Sequence, residues 1–244
     1  MRSEYTWACG TRVHAEVAGP PDGPGVVCVH GLGCSHRYFR PLMRRLATTA
    51  RVSAPDLPGF GGTPGPGSAL DVRGMSLALA GWLRATGRGG SVLVGNSAGC
   101  QVIVDLAVHA PGLLGPVVLN GPTIDRCART MPRQLGRLLA DAPRERPTLW
   151  AVLAWDYLRG GPLRALATLR HLLADPVEDK LGQVRGPAVV VWGARDPIVP
   201  RRWAREVAEG LPHGALVEVP GAPHAVNFTD PDPLARVVRT LLPS

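Results

Sequence analysis

Three residues have the types that nucleophilic catalysis requires, and they stand in the order Ser97, Asp196, His224. Ser97 sits in Gly95-Asn96-Ser97-Ala98-Gly99, between the apolar run Val92-Leu93-Val94 and a stretch with helical character that begins at once. A serine hydroxyl is a weak nucleophile until a neighbouring base removes its proton. A sharp strand-to-helix turn exposes such a serine, and the flanking glycines remove the Cβ atoms that would collide where strand and helix cross. The first amides of the helix are then free to stabilise an anion. Asp196 lies just after the apolar residues 189–192, and His224 just after residues 215–219. A carboxylate to orient an imidazole, an imidazole to take a proton and a hydroxyl to attack form a set suited to acyl transfer.

Such a set works only if distant segments converge. Loops at the carboxyl ends of parallel strands do converge, on one edge of a sheet. The chain alternates accordingly. Strands are predicted at 11–17, 26–30, 52–56, 91–95, 115–119, 188–192 and 215–219, with helices at 38–46, 72–86, from the serine turn to about 109, at 200–209 and at 233–242. Runs such as Val26-Val27-Cys28-Val29 are apolar throughout, as strands buried on both faces must be. The expected class is α/β: a doubly wound, mostly parallel sheet of about eight strands. Residues 123–180 break the rhythm with helices near 133–140, 148–158 and 162–173 and no strand. They read as a helical cap inserted after the sixth strand, over a core domain made of residues 1–122 and 181–244.

Composition narrows the function classes. Of 244 residues, 45% are hydrophobic and 19% charged, which is an ordinary globular balance. The net charge of +8 comes almost wholly from arginine, Lys180 being the only lysine. Abundant arginine, alanine, glycine and proline are what a GC-rich genome produces, and only Phe39, Phe60 and Phe228 are phenylalanines, so nucleic acid is not an expected partner. No apolar run approaches a membrane span, and Met1–Trp7 has no signal-like core, which leads to the expectation of a cytoplasmic, membrane-independent protein, monomeric or homodimeric. Five cysteines (Cys9, Cys28, Cys34, Cys100 and Cys127) without a Cys-x-x-Cys pair suggest reduced thiols and no metal site.

Five motifs, taken together, resemble the α/β-hydrolase fold superfamily over essentially the whole chain. They are Val29-His30-Gly31-Leu32-Gly33, Asp56-Leu57-Pro58-Gly59-Phe60-Gly61, Gly95-Asn96-Ser97-Ala98-Gly99, Gly193-Ala194-Arg195-Asp196 and Gly221-Ala222-Pro223-His224. The resemblance implies acyl transfer without a cofactor, on a small-molecule acyl substrate, with Ser97 as nucleophile, His224 as base and Asp196 as its orienting acid. It places the oxyanion on the backbone N–H groups of Leu32 and Ala98, and makes His30 a support for that loop. A carboxylic ester or lactone hydrolase is the first expectation. Asn96 also suits carbon–carbon bond hydrolases of the same fold, and a lyase, cyclase or ligand-binding member would keep the same residues. Gly31, Asn96, Trp150, Trp155 and Val226 are assigned to the substrate pocket. Leu149, Leu153 and Leu158 either join it or pack the cap on the core. Arg126, Arg129, Arg133 and Arg137 recur every three or four residues, as a solvated face or as a docking surface for an anion. Pro132 is expected to begin a new helix between them.

Overall fold

Alternate residues of the central strands feed two different cores. Val27, Val29, Leu93, Val117, Leu119, Val190 and Trp192 pack on one side, and Val26, Cys28, Val92, Val94, Val118 and Val191 on the other. A strand with apolar side chains on both faces must lie inside a sheet covered on both sides. The computed structural model, which describes residues 1–243, has that architecture.

The strands are β1 (Arg2–Ala8), β2 (Thr11–Ala18), β3 (Gly25–Val29), β4 (Arg51–Pro55), β5 (Val92–Asn96), β6 (Val117–Asn120), β7 (Ala188–Gly193) and β8 (Gly214–Val219). They form one sheet in the order β1-β2-β4-β3-β5-β6-β7-β8. The two pairings of β2 are antiparallel and every pairing from β4 to β8 is parallel. The helices are α1 (Arg40–Leu46), α2 (Val72–Thr86), α3 (Ala98–His109), α4 (Met131–Asp141), α5 (Pro147–Gly160), α6 (Pro162–Ala174), α7 (Arg201–Gly210), α8 (Val226–Thr229) and α9 (Pro231–Thr240). α2, α3 and α7 cover one face through Leu79, Trp82, Ile103 and Trp203. α1 and α9 cover the other through Leu42, Met43, Leu234 and Val238.

β1 is the strand that apolar patterning does not reveal. Arg2, Ser3, Tyr5 and Trp7 are exposed on it, because it sits at the sheet edge and pairs with β2 alone. Between β6 and β7 the chain contains α4, α5 and α6 and no strand. Pro132 lies in the first turn of α4, where its missing N–H would have had no partner. No helix among the described residues is long and apolar enough to cross a membrane.

Candidate active site

The strand order changes direction beside β3, which pairs with β4 on one side and β5 on the other. Crevices at the carboxyl ends of such strands are where open α/β sheets hold ligands. Ser97 follows β5 at once, with φ 55° and ψ −121°, outside the conformations a non-glycine residue normally adopts. The turn is held by Ser97 N–H donating to Asn120 O at 3.0 Å and Cys100 N–H donating to Ser97 O at 3.0 Å. Gly99 is obligatory there, since a Cβ on it would stand 2.1 Å from the Val29 carbonyl oxygen of β3.

Asp196 and His224 come from the loops after β7 and β8. Asp196 Oδ1 accepts the N–H groups of Ile198 (2.7 Å) and Val199 (3.0 Å), which fixes the carboxylate in the turn that follows β7. Its Oδ2 lies 2.7 Å from His224 Nδ1. That bond assigns the His224 proton to Nδ1 and leaves Nε2, which is buried and has no hydrogen-bond partner among the described residues. Burial opposes a charged imidazole, but the charge and hydrogen bond of Asp196, with Asp141 and Glu145 beyond, outweigh it and raise the His224 pKa to about 9. Gly121 makes room for the ring, because a Cβ there would lie 2.9 Å from His224 Cε1 and Nδ1.

The turn after β3 carries Leu32, whose N–H donates to no protein group among the described residues, and the same holds for Ala98 at the first position of α3. The turn is braced from two sides. His30 Nε2 accepts the Leu57 N–H at 3.0 Å, so its Nδ1 holds the proton and donates to Gly31 O at 2.9 Å. Burial lowers the His30 pKa, consistent with a neutral, structural ring. From the other side, α5 delivers Tyr157, whose hydroxyl donates to Leu32 O at 3.1 Å, and Asp156, which accepts from Ser35 Oγ at 2.7 Å and Arg37 Nη1 at 3.1 Å. Sequence reasoning passed over both residues, since nothing local ties them to a turn more than 120 residues away.

Ser97 and His224 line one cavity of about 370 Å³, bounded by the sheet edge and the helices of residues 123–180. Gly31 and Asn96 are in its wall, as are Leu149, Trp150, Leu153, Leu169, Leu172 and Ile198. Asn96 is fully buried, and its side-chain amide donates to Asn120 O at 3.3 Å. Two of the expected pocket residues lie elsewhere. Trp155 is half exposed beneath the Arg159 guanidinium, because the face of α5 that turns inward is that of Leu149, Leu153 and Tyr157. Val226 is fully buried with the α1–α9 layer, because α8 directs it away from the cavity. Leu158 is exposed as well. Cys34 is in the cavity wall and Cys100 in the core beside it, and burial raises both thiol pKa values, which keeps them protonated.

The arginines of the helical segment are largely committed. Arg126 pairs with Glu206, Arg129 with Glu178 and Arg137 with Asp125, while Arg133 donates to Cys127 O. Since α4 begins at Met131, Arg126 and Arg129 share no helical face with the other two.

The cavity wall contains two carboxylates that sequence patterning gave no reason to place there, Asp141 and Glu145. On α4, Leu135 and Leu139 are exposed and Leu138 is partly exposed in the cavity wall, while Gln134 and Asp141 are buried. Glu145 accepts from Ala225 N–H at 2.6 Å and from the Thr229 hydroxyl, and so holds the loop that follows His224. Asp141 accepts the His224 N–H at 3.4 Å. Burial, with Glu145 and Asp196 nearby, pushes its pKa up to about 7 against the opposing pull of His224. A separate cluster of His14, His36 and Asp56 has the atom types of a metal site, but Asp56 accepts from both Nδ1 atoms and from the His36 and Gly62 N–H groups. Its members satisfy one another and tie β2 to the loops after β3 and β4.

Comparison with known proteins agrees with this architecture. The chain is 30% identical over 228 residues to a pimeloyl-[acyl-carrier protein] methyl ester esterase of Chromobacterium violaceum, covering 83% of this chain and 88% of that one. It is 25% identical to a 2-(acetamidomethylene)succinate hydrolase of Mesorhizobium japonicum, covering 91% and 88%. An enol-lactonase from Burkholderia xenovorans LB400 superposes with a TM-score of 0.83 at 20% identity, covering 98% of this chain and 99% of that one, and so shares the fold. Residues 26–237 match the family described as the Alpha/beta hydrolase family. The chain belongs to the alpha/beta hydrolase family.

Proposed function

We propose that this chain is a serine hydrolase that cleaves a carboxylic ester or lactone through an acyl-enzyme on Ser97. His224 Nε2 takes the Ser97 proton as the oxygen attacks the carbonyl, then passes it to the departing alcohol. It next activates water to release the acyl group. Asp196 holds the imidazole in the required tautomer and stabilises its transient positive charge. The N–H groups of Leu32 and Ala98 receive the developing oxyanion, where loss of one such donor costs about 3 kcal/mol of transition-state stabilisation. This chemistry calls on no cofactor. Residues 123–180 act as the cap that shapes the substrate space, over a core of residues 1–122 and 181–244.

The observation that carries this reading is the 2.7 Å bond between Asp196 and His224, which leaves an unpartnered Nε2 in the cavity that Ser97 lines. The ester- and lactone-cleaving names among its relatives and fold neighbours support the same class. A fluorophosphonate probe should label the wild-type protein at Ser97, and Ser97→Ala should abolish the label. A wild-type serine that does not react would sink the proposal.

A further inference from the structure

The cavity's charged groups are of one sign apart from His224. Asp141 and Glu145 stand in its wall, and neither lysine nor arginine does. Glu145 has both oxygens engaged by Ala225 and Thr229. Asp141 is 7% exposed, and its carboxyl accepts a single hydrogen bond among the described residues, the 3.4 Å one from His224 N–H. The rest of the lining is mainly leucine, isoleucine, tryptophan and alanine. A carboxylate in such surroundings is stabilised only by a partner, and a substrate carboxylate would meet repulsion there.

We propose that Asp141 is a specificity residue whose carboxylate receives a protonated amine on the leaving-group side of the substrate. The leaving-group side is part of the proposal: Asp141 accepts the backbone N–H of His224, whose imidazole is the group that hands a proton to the departing alcohol. The inference thus rests on the serine-hydrolase reading. The raised pKa of Asp141 is the same physics: even against the pull of His224 the buried carboxyl loses its proton reluctantly, and a bound substrate ammonium favours its charge. Glu145 adds to the negative field while anchoring the histidine loop.

Two butyrate esters test it. The 2-(dimethylamino)ethyl ester carries an N–H cation, and the 3-methylbutyl ester is its neutral isostere. With each rate divided by the ester's hydroxide-catalysed rate, kcat/KM should favour the ammonium ester about tenfold, the scale of one hydrogen bond to a charged group. In Asp141→Asn that ratio should fall towards one, because the amide keeps an oxygen for the His224 N–H but lacks the charge. Should the variant fail to fold, the wild-type ratio decides alone. Equal rates for the two esters, an unchanged ratio in Asp141→Asn, or turnover of neither ester by a protein whose Ser97 labels would overturn the inference and leave the hydrolase reading standing. An unlabelled Ser97 removes both.

Discussion

The Tyr157 hydroxyl donates to the Leu32 carbonyl at 3.1 Å, so a helix outside the sheet core grips the residue whose own N–H is proposed to receive the oxyanion. The grip is close: a Cβ on Gly33 would lie 2.5 Å from Tyr157 Cζ. Tyr157→Phe removes the hydroxyl and keeps the packing. It should lower kcat about fivefold, on the scale of one neutral hydrogen bond, with KM little changed. Steady-state kinetics on one p-nitrophenyl ester measures this, and an effect confined to KM would give Tyr157 a substrate-binding role instead.

His224 can serve as a base only when deprotonated, so kcat/KM must fall as pH drops through its pKa. Asp196, Asp141 and Glu145 all raise that pKa, and the rate should therefore keep climbing above neutrality. Asp141→Asn deletes one of the negative charges and should move the midpoint of the acid limb to lower pH. A pH–rate profile of the two proteins shows it, and coincident midpoints would mean that the Asp141 charge does not act on His224.

Asp56 is fully buried among hydrogen bonds from His14, His36 and Gly62. Burial alone would raise its pKa, but the bonds from the two histidines outweigh that and hold the carboxyl well below its ordinary range. Asp56→Asn should destabilise the fold by about 3 kcal/mol near neutral pH, as expected when a buried charge network loses a partner. The folded pKa lies below the unfolded one, so this stabilisation is present above about pH 4 and drains away as the pH falls further. Urea denaturation at neutral and acid pH would reveal a gap between wild type and variant that narrows with acidification. A constant gap would disconnect it from ionisation.

Ester chemistry is distinguishable from carbon–carbon bond cleavage in one assay. A series of p-nitrophenyl esters from acetate to dodecanoate should be turned over, with short to medium chains preferred because the cavity is only about 370 Å³. Rapid cleavage of a vinylogous diketone with no ester turnover would reverse that assignment.

Much of this architecture was legible because it is written locally. Strand, turn and helix around Ser97 lie within a few residues of one another, and Asp196 and His224 each follow an apolar run that is a strand. The two acids of the cavity were not legible. Asp141 and Glu145 follow no local pattern that marks a cavity wall, and Asp141 is buried on α4 beside exposed leucines. Trp155 misled because large aromatic residues are expected inside, while on α5 it lies half exposed beneath the Arg159 guanidinium. β1 escaped notice because an edge strand needs no apolar run.

The three helices of residues 123–180 are bound to the rest of the molecule unequally. The end of α4 and the residues after it touch the histidine loop through Asp141 and Glu145, and α5 holds the Leu32 turn through Tyr157. α6 contributes Leu169 and Leu172 to the cavity, yet its side-chain bonds run from Arg164 to Pro66 and Ser68. Leu169 and Leu172 also share a buried cluster with Ala98, against which Leu32 packs, so an exchange at either alters what fits and the packing of that turn together. A lineage that changed substrates through α6 would have to repack the turn it adjoins.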